Sequence, residues 1–113
     1  MTQFMMNYQP GELFLVAFPY TSGAQTKKRA ALVILDTGDD DVLVARVTAQ
    51  PQTTVFDVRL ANWRRAGLLL PSTVRLHKLA TIEKTTIVRR LGVMKAGDRR
   101  QVSSVLQKAF GNW

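Results

Sequence analysis

The sequence predicts a mainly β domain: a small, strongly bent antiparallel sheet or barrel, with short helical pieces and one C-terminal amphipathic helix. Three observations carry this. Six or so apolar stretches are each too short for a helix and rich in β-branched and aromatic residues. Turn residues separate them at short intervals. Only the last part of the chain shows a sustained helical period. With 113 residues, 46% of them apolar, the chain is long enough for one domain with its own core.

Residues 1–9 read as an N-terminal tail ended by Pro10-Gly11, and residues 10–113 as the single domain. Glu12 to Phe18 (ELFLVAF) is a buried strand that Pro19 stops. Tyr20 to Lys28 reads as a polar loop long enough to carry function. Ala30 to Leu35 is a second buried strand, and Asp36 to Asp41 turns the chain into a third, Val42 to Thr48. These three form an antiparallel meander. Thr54 to Val58 is a short fourth strand, and Leu60 to Ala66 is one or two helical turns ended by Gly67. Thr73 to Leu79 alternates Val74 and Leu76 with Arg75 and His77, a half-buried strand with a basic face. Thr85 to Val93 is the last strand. Val102, Val105, Leu106, Ala109 and Phe110 then recur at helical spacing and mark the final helix.

Composition removes several function classes. With no cysteine, disulfides, thiol catalysis and zinc–thiolate sites are excluded. The single histidine, His77, excludes two-histidine metal sites and acid–base pairs. No apolar run exceeds six residues, against the ~20 of a membrane span, and the first residues lack the basic start of a secretory signal. The expectation is a cytoplasmic protein with no membrane partner.

The formal charge is +8, from 16 Lys+Arg against 8 Asp+Glu. Residues 1–61 carry 5 bases and 6 acids, a net of −1, whereas residues 62–113 carry 11 bases against Glu83 and Asp98, a net of +9. Such an excess suits an anionic partner: nucleic acid, anionic lipid or an acidic protein. Asp39-Asp40-Asp41 looks like a metal cluster, but adjacent extended residues point to opposite sides, so a solvated turn accounts for it. Lys27-Lys28-Arg29 abuts a buried strand, which anchors Arg29, although loop solubility explains the run equally. Arg75 and His77 share a strand face about 6–7 Å apart. They read either as a site for an anion with proton transfer or as an exposed basic strand. Trp63 and Trp113 fit core or staple roles better than base stacking. For an RNA partner, cleavage through the 2′-OH needs a base, an acid and a cation for the phosphorane charge. The composition permits this with His77, Arg29 and Arg75, and disfavours two-metal chemistry, which wants clustered carboxylates.

The order of these pieces resembles the MazF/PemK family of toxin endoribonucleases. Pro10-Gly11-Glu12-Leu13-Phe14-Leu15-Val16 with Phe18-Pro19 looks like that family's first strand. Lys28-Arg29-Ala30-Ala31-Leu32-Val33-Ile34 is similar to its Arg-Pro-x-Leu-Val-Ile box, and Val44 to Gln50 to its strand ending in Thr-Ser-Gln. Gly67 to Arg75, and Leu79 to Lys84, resemble its later Gly-Leu…Ser-Val-Val-Arg and Thr-Ile-Asp-Lys patches. The resemblance runs from about residue 10 to residue 110; each patch is weak singly, and five in order are strong.

The resemblance implies an SH3-like small barrel of the MazF/PemK/CcdB type, usually a homodimer. It implies the toxin of a type II toxin–antitoxin pair, an endoribonuclease that cuts single-stranded RNA, chiefly mRNA, without metal or cofactor and leaves a 2′,3′-cyclic phosphate. Carried over by residue, Arg29 takes the place of the box arginine and Thr48 that of a threonine holding the scissile phosphate. Arg75 looks like an arginine used as acid in PemK-type members, and His77 stands where those members carry an aspartate base. That exchange moves the working pH of the base toward the ~6.5 of free histidine. Tyr20, Thr21, Lys27, Lys28, Gln50 and Lys84 would hold the RNA strand. An acidic cognate antitoxin would compete for the phosphate sites. Ala30 replaces the box proline and Ala49 the usual serine. The alternative is a non-catalytic toxin of the same fold that binds nucleic acid or, like CcdB, gyrase.

Overall fold

In a computed structural model, which describes residues 7–19 and 26–113, β-rich segments pair into one six-stranded antiparallel sheet. The strands are β1 (Glu12–Pro19), β2 (Thr26–Leu35), β3 (Asp41–Thr48), β4 (Asp57–Arg59), β5 (Thr73–Glu83) and β6 (Ile87–Val93). A 3-10 turn (Lys84–Thr86) joins β5 to β6, and the helix α1 (Ala96–Phe110) ends the fold. The strand order is β4-β5-β3-β2-β1-β6, so β1 to β3 form the expected meander. β4 and β6 are edges: the small barrel anticipated from the sequence is an open sheet in its hydrogen bonding.

Alternation along each strand splits the apolar residues between two clusters, one on either face. Leu13, Leu32, Ala45, Val47, Val74 and Leu76 pack with Leu60, Leu68 and Val102 of α1. Phe14, Val16, Ala31, Val33, Val42 and Val44 form the other cluster with Tyr8. Tyr8, in the segment read as a tail, is 8% exposed and meets Phe14 edge to face at 4.8 Å. Its N–H donates to Asp36 at 2.7 Å.

Several segments differ from the sequence reading. β2 begins at Thr26, so Lys27 and Lys28 stand on a strand rather than in a loop. The fourth strand is only Asp57–Arg59, because Thr54 turns back to bond Asp57. Residues 61–67 form turns rather than a helix, with Ala66 N–H bonding the Asn62 carbonyl. β5 runs on to Glu83 because its second half also pairs with β3.

That pairing contains the main irregularity. Adjacent Ala45 and Arg46 of β3 pair with Leu79 and Arg75 of β5, so Leu76, His77 and Lys78 bulge out of register. Such a bulge bends the strand and re-aims its side chains.

Candidate nucleic-acid interface

The face of the sheet opposite α1 is apolar at one end and basic at the other. Odd positions of β2 and even positions of β3 point to it, so the series Val33, Ala31, Arg29 and the series Val42, Val44, Arg46, Thr48 both pass from apolar to polar along their strands. At the polar end a row crosses four strands: Ala31 pairs with Arg46, Arg46 with Arg75, and Arg75 with Asp57. Neighbouring strands lie ~4.8 Å apart, which makes Arg46 and Arg75 direct cross-strand neighbours. Like charges placed so are unfavourable. Asp57 offsets one of them, and Arg46 forms no ion pair among the described residues. An anion above the row would relieve the rest.

Arg29 is half-buried and lines two adjoining depressions. One, of about 370 Å³, is shared with Arg46, Lys78 and Phe18. The other, of about 430 Å³, is shared with Lys28, Thr48, Ala49 and Arg89. The Thr48 hydroxyl accepts the Gln50 N–H at 3.1 Å, which closes the end of β3 and leaves its own O–H to donate elsewhere. Exposed Leu69 and Leu70 form an apolar lip to the second depression.

Arg75 and His77 are in contact, Nη2 to Nε2 at 3.3 Å, with His77 inside the bulge of β5. Arg75 Nε donates to Asp57 Oδ1 at 2.9 Å, and the Phe56 ring lies 5.5 Å from the imidazole centre. Burial pushes the Asp57 carboxyl up, but hydrogen bonds from Thr54 and Arg75 outweigh it and hold the group below the usual carboxylate value.

Of the sequence candidates, Arg29, Thr48, Lys28 and Gln50 gather at one end of β2 and β3, Lys28 on the opposite face of β2 from Arg29, and Arg75 with His77 continues the Arg29 face on β5. Lys27 is exposed on β2, paired across from Phe18. Lys84 is elsewhere. Its ammonium pairs with Asp36 at 2.9 Å, past the far end of β2 from Arg29, with its side chain only 11% exposed. Tyr20 and Thr21 lie outside the described residues. The sequence reading missed Arg46 and Asp57. Arg46 had a signal, being a lone charge in the apolar run Val42 to Val47, whereas Asp57 had none without the strand register. Among the described residues no group of three or more His, Asp or Glu could hold a metal ion, and no helix is long and apolar enough to cross a membrane.

Solved structures share this fold. An endoribonuclease in complex with its cognate antitoxin from a mycobacterial species superposes with a TM-score of 0.77 at 16% identity, covering 95% of this chain and 98% of that one. The Mycobacterium tuberculosis toxin MazF-mt6 gives 0.73 at 20% identity over 93% and 100% of the two chains. A chain of the MazE–MazF complex from Deinococcus radiodurans gives 0.76 at 18% identity over 94% and 97%. No curated protein matches the sequence. A family model described as PemK-like, MazF-like toxin of type II toxin–antitoxin system matches residues 9–110, a span holding all six strands and the helix. With fold, basic face and sequence pattern agreeing, the chain belongs to the PemK-like, MazF-like family of type II toxins.

Proposed function

We propose that this toxin is a metal-independent endoribonuclease that cuts single-stranded RNA, chiefly mRNA, on the basic face of its sheet. The observation that carries the reading is the run of Arg29, Arg46 and Arg75 across three adjacent strands, with His77 touching Arg75. A phosphate on this run meets guanidinium groups from more than one side, the arrangement that stabilises a phosphorane.

As Arg75 Nη2 turns from the imidazole to the arriving phosphate, His77 Nε2 is freed to take the proton of the 2′-OH, whose oxygen bonds to phosphorus as the bond to the 5′-oxygen breaks. The leaving oxygen takes a proton, and a 2′,3′-cyclic phosphate remains. Arg29 and Arg75 stabilise the dianionic phosphorane or supply that proton, and Thr48 donates to a phosphate oxygen. Lys27, Lys28 and Gln50 contact the flanking strand, and Tyr20 and Thr21 belong to the same RNA-binding set. The carboxylate nearest the row, Asp57, is committed to Thr54 and Arg75, which favours chemistry without a metal. Family membership leads us to propose two further partners in the cytoplasm: a second copy of the chain, and an acidic antitoxin that covers the same arginines.

The test is incubation of defined RNA in excess EDTA. Cut ends that disappear in Arg29→Ala and His77→Ala are expected. Intact RNA with a retained gel shift would mean a binder, and neither cleavage nor binding would mean a toxin with a protein target.

A further inference from the structure

We infer that Asp57 is a positioning residue of the basic face: anchored by Thr54, it grips Arg75 through Nε, so that the far guanidinium nitrogen fixes the His77 imidazole. For its catalytic meaning this rests on the endoribonuclease reading. Its geometry stands without it.

The side chain of Asp57 is 1% exposed, yet both oxygens are in use. Oδ2 accepts the Thr54 N–H at 2.9 Å and its hydroxyl at 2.7 Å, while Oδ1 accepts Arg75 Nε at 2.9 Å. A buried carboxylate so held is a fixed acceptor. Arg75 is itself only 15% exposed in its side chain, and its Nε bond to β4 leaves the terminal nitrogens directed along β5. One of them, Nη2, meets His77 Nε2 at 3.3 Å. A guanidinium has donors only, so the ring nitrogen it meets must offer a lone pair. The contact therefore selects the tautomer of the neutral ring that carries its proton on Nδ1 and offers Nε2 as acceptor. Phe56, whose carbonyl accepts the Leu76 N–H at 2.9 Å, flanks the ring and limits its rotation.

The two other buried or nearly buried carboxylates do different work. Asp36 pairs with Lys84 away from the row, and Asp98 accepts backbone N–H groups of Ala61 and Asn62. Only Asp57 reaches the basic face from β4. Its neighbours there are Arg75 on β5 and Thr54 in the preceding turn, with Arg46 one strand further on, beyond Arg75.

His77 is the sole histidine, so its ring nitrogens can be read without overlap by nitrogen-15 NMR of the full chain. At pH 8.5 the wild type is expected to show the Nδ1–H tautomer. Asp57→Asn offers one acceptor oxygen where two are used, and should move the population toward Nε2–H. It should also lower kcat/KM on defined RNA about 100-fold, the scale of a small misplacement. Thr54→Val, at an exposed site, should shift the tautomer the same way and covers the case in which Asp57→Asn fails to fold. A wild-type Nε2–H tautomer, or variants that keep the wild-type tautomer with a cooperative melt, would overturn the inference. If the tautomer responds but the wild type cuts no RNA, the endoribonuclease reading falls and the positioning stands. If RNA is cut in a His77-dependent way with an unresponsive tautomer, the reverse holds.

Discussion

At the scale of single residues, the groups proposed to meet the phosphate are distinguished by how each is held. Arg29 stands on β2 between two depressions, Thr48 closes β3, and Arg75 is tied to β4. Replacing His77 by Ala should lower the cleavage rate about 10²–10⁴-fold, the usual worth of one positioned acid–base group. Single-turnover kinetics with saturating RNA would measure it, and a smaller loss would make His77 a binding group only. The Asp57 carboxyl makes a separate prediction in the absence of RNA. Its folded value lies below the ordinary 3.8, so its ion pair stabilises the fold above that value and is lost as pH falls through the folded one. Urea midpoints should therefore decline below about pH 4. Asp57→Asn should be less stable than wild type at pH 7, with a shallower decline in acid. Of these residues, Arg75 and His77 were legible in sequence because a two-residue spacing shares a strand face. Arg29 and Thr48 rested on the family pattern. Asp57 was hidden, and Arg46 showed only as a lone charge in an apolar run, because the relation of Arg46 to Arg75 is cross-strand. It depends on a bulge that no local spacing announces.

At the scale of elements, the depression shared by Arg29, Thr48 and Arg89 depends on how the 60–70 segment is held against the sheet. Gly67 has φ +95°, and a Cβ there would collide with the Leu91 carbonyl, while one on Gly92 would collide with the Ala66 carbonyl. The two glycines thus let the turn segment press its backbone onto β6, beside the Leu69 and Leu70 lip. Gly67→Ala combines left-handed strain with that clash and should cost more than the ~1 kcal/mol of an ordinary glycine replacement. A thermal melt compared with Gly38→Ala, whose Cβ meets nothing, separates clash from backbone strain. Asp98 fixes the same segment from α1. It is 1% exposed and accepts the Ala61 and Asn62 N–H groups at 2.9 and 3.0 Å. Asp98→Ala would leave those donors unpaired, at about 1–3 kcal/mol, measurable as a lowered urea midpoint. The sequence reading found the meander, the last strand and α1 from their apolar periods. It counted Asp98 only in the charge balance, because a carboxylate that caps a remote turn leaves no local pattern. The 60–66 stretch was read as helical for a related reason: turn and helix share their i to i−4 bond over so short a span.

At the scale of the whole molecule, the division into a near-neutral half and a +9 half does not survive as a division in space. β5 from the basic half sits between β3 and β4, and β6 joins β1. Several of its bases are spent on contacts within the fold: Lys84 on Asp36, Arg90 on Glu12, Arg99 on the Pro10 carbonyl. The basic face is instead assembled from both halves, Arg29 and Arg46 from one and Arg75 with Lys78 from the other. Net charge alone therefore overstates what a polyanion can use, and the number of phosphates engaged is set by the sheet register. This gives a quantitative expectation. The affinity of single-stranded RNA should fall with salt at a slope of about −0.7 per phosphate engaged. Removing Arg46, which forms no ion pair among the described residues, should reduce that slope by roughly one phosphate's worth across RNA sequences. Arg90→Ala, at a residue paired with Glu12, should leave the slope near wild type while weakening the fold slightly. Titrations of labelled RNA between low and moderate salt, with a non-cleavable 2′-deoxy substitution, read both. Equal slopes for the two variants would mean that the polyanion feels the overall charge rather than the row, and the same comparison with an acidic peptide would show whether a protein inhibitor uses those arginines too.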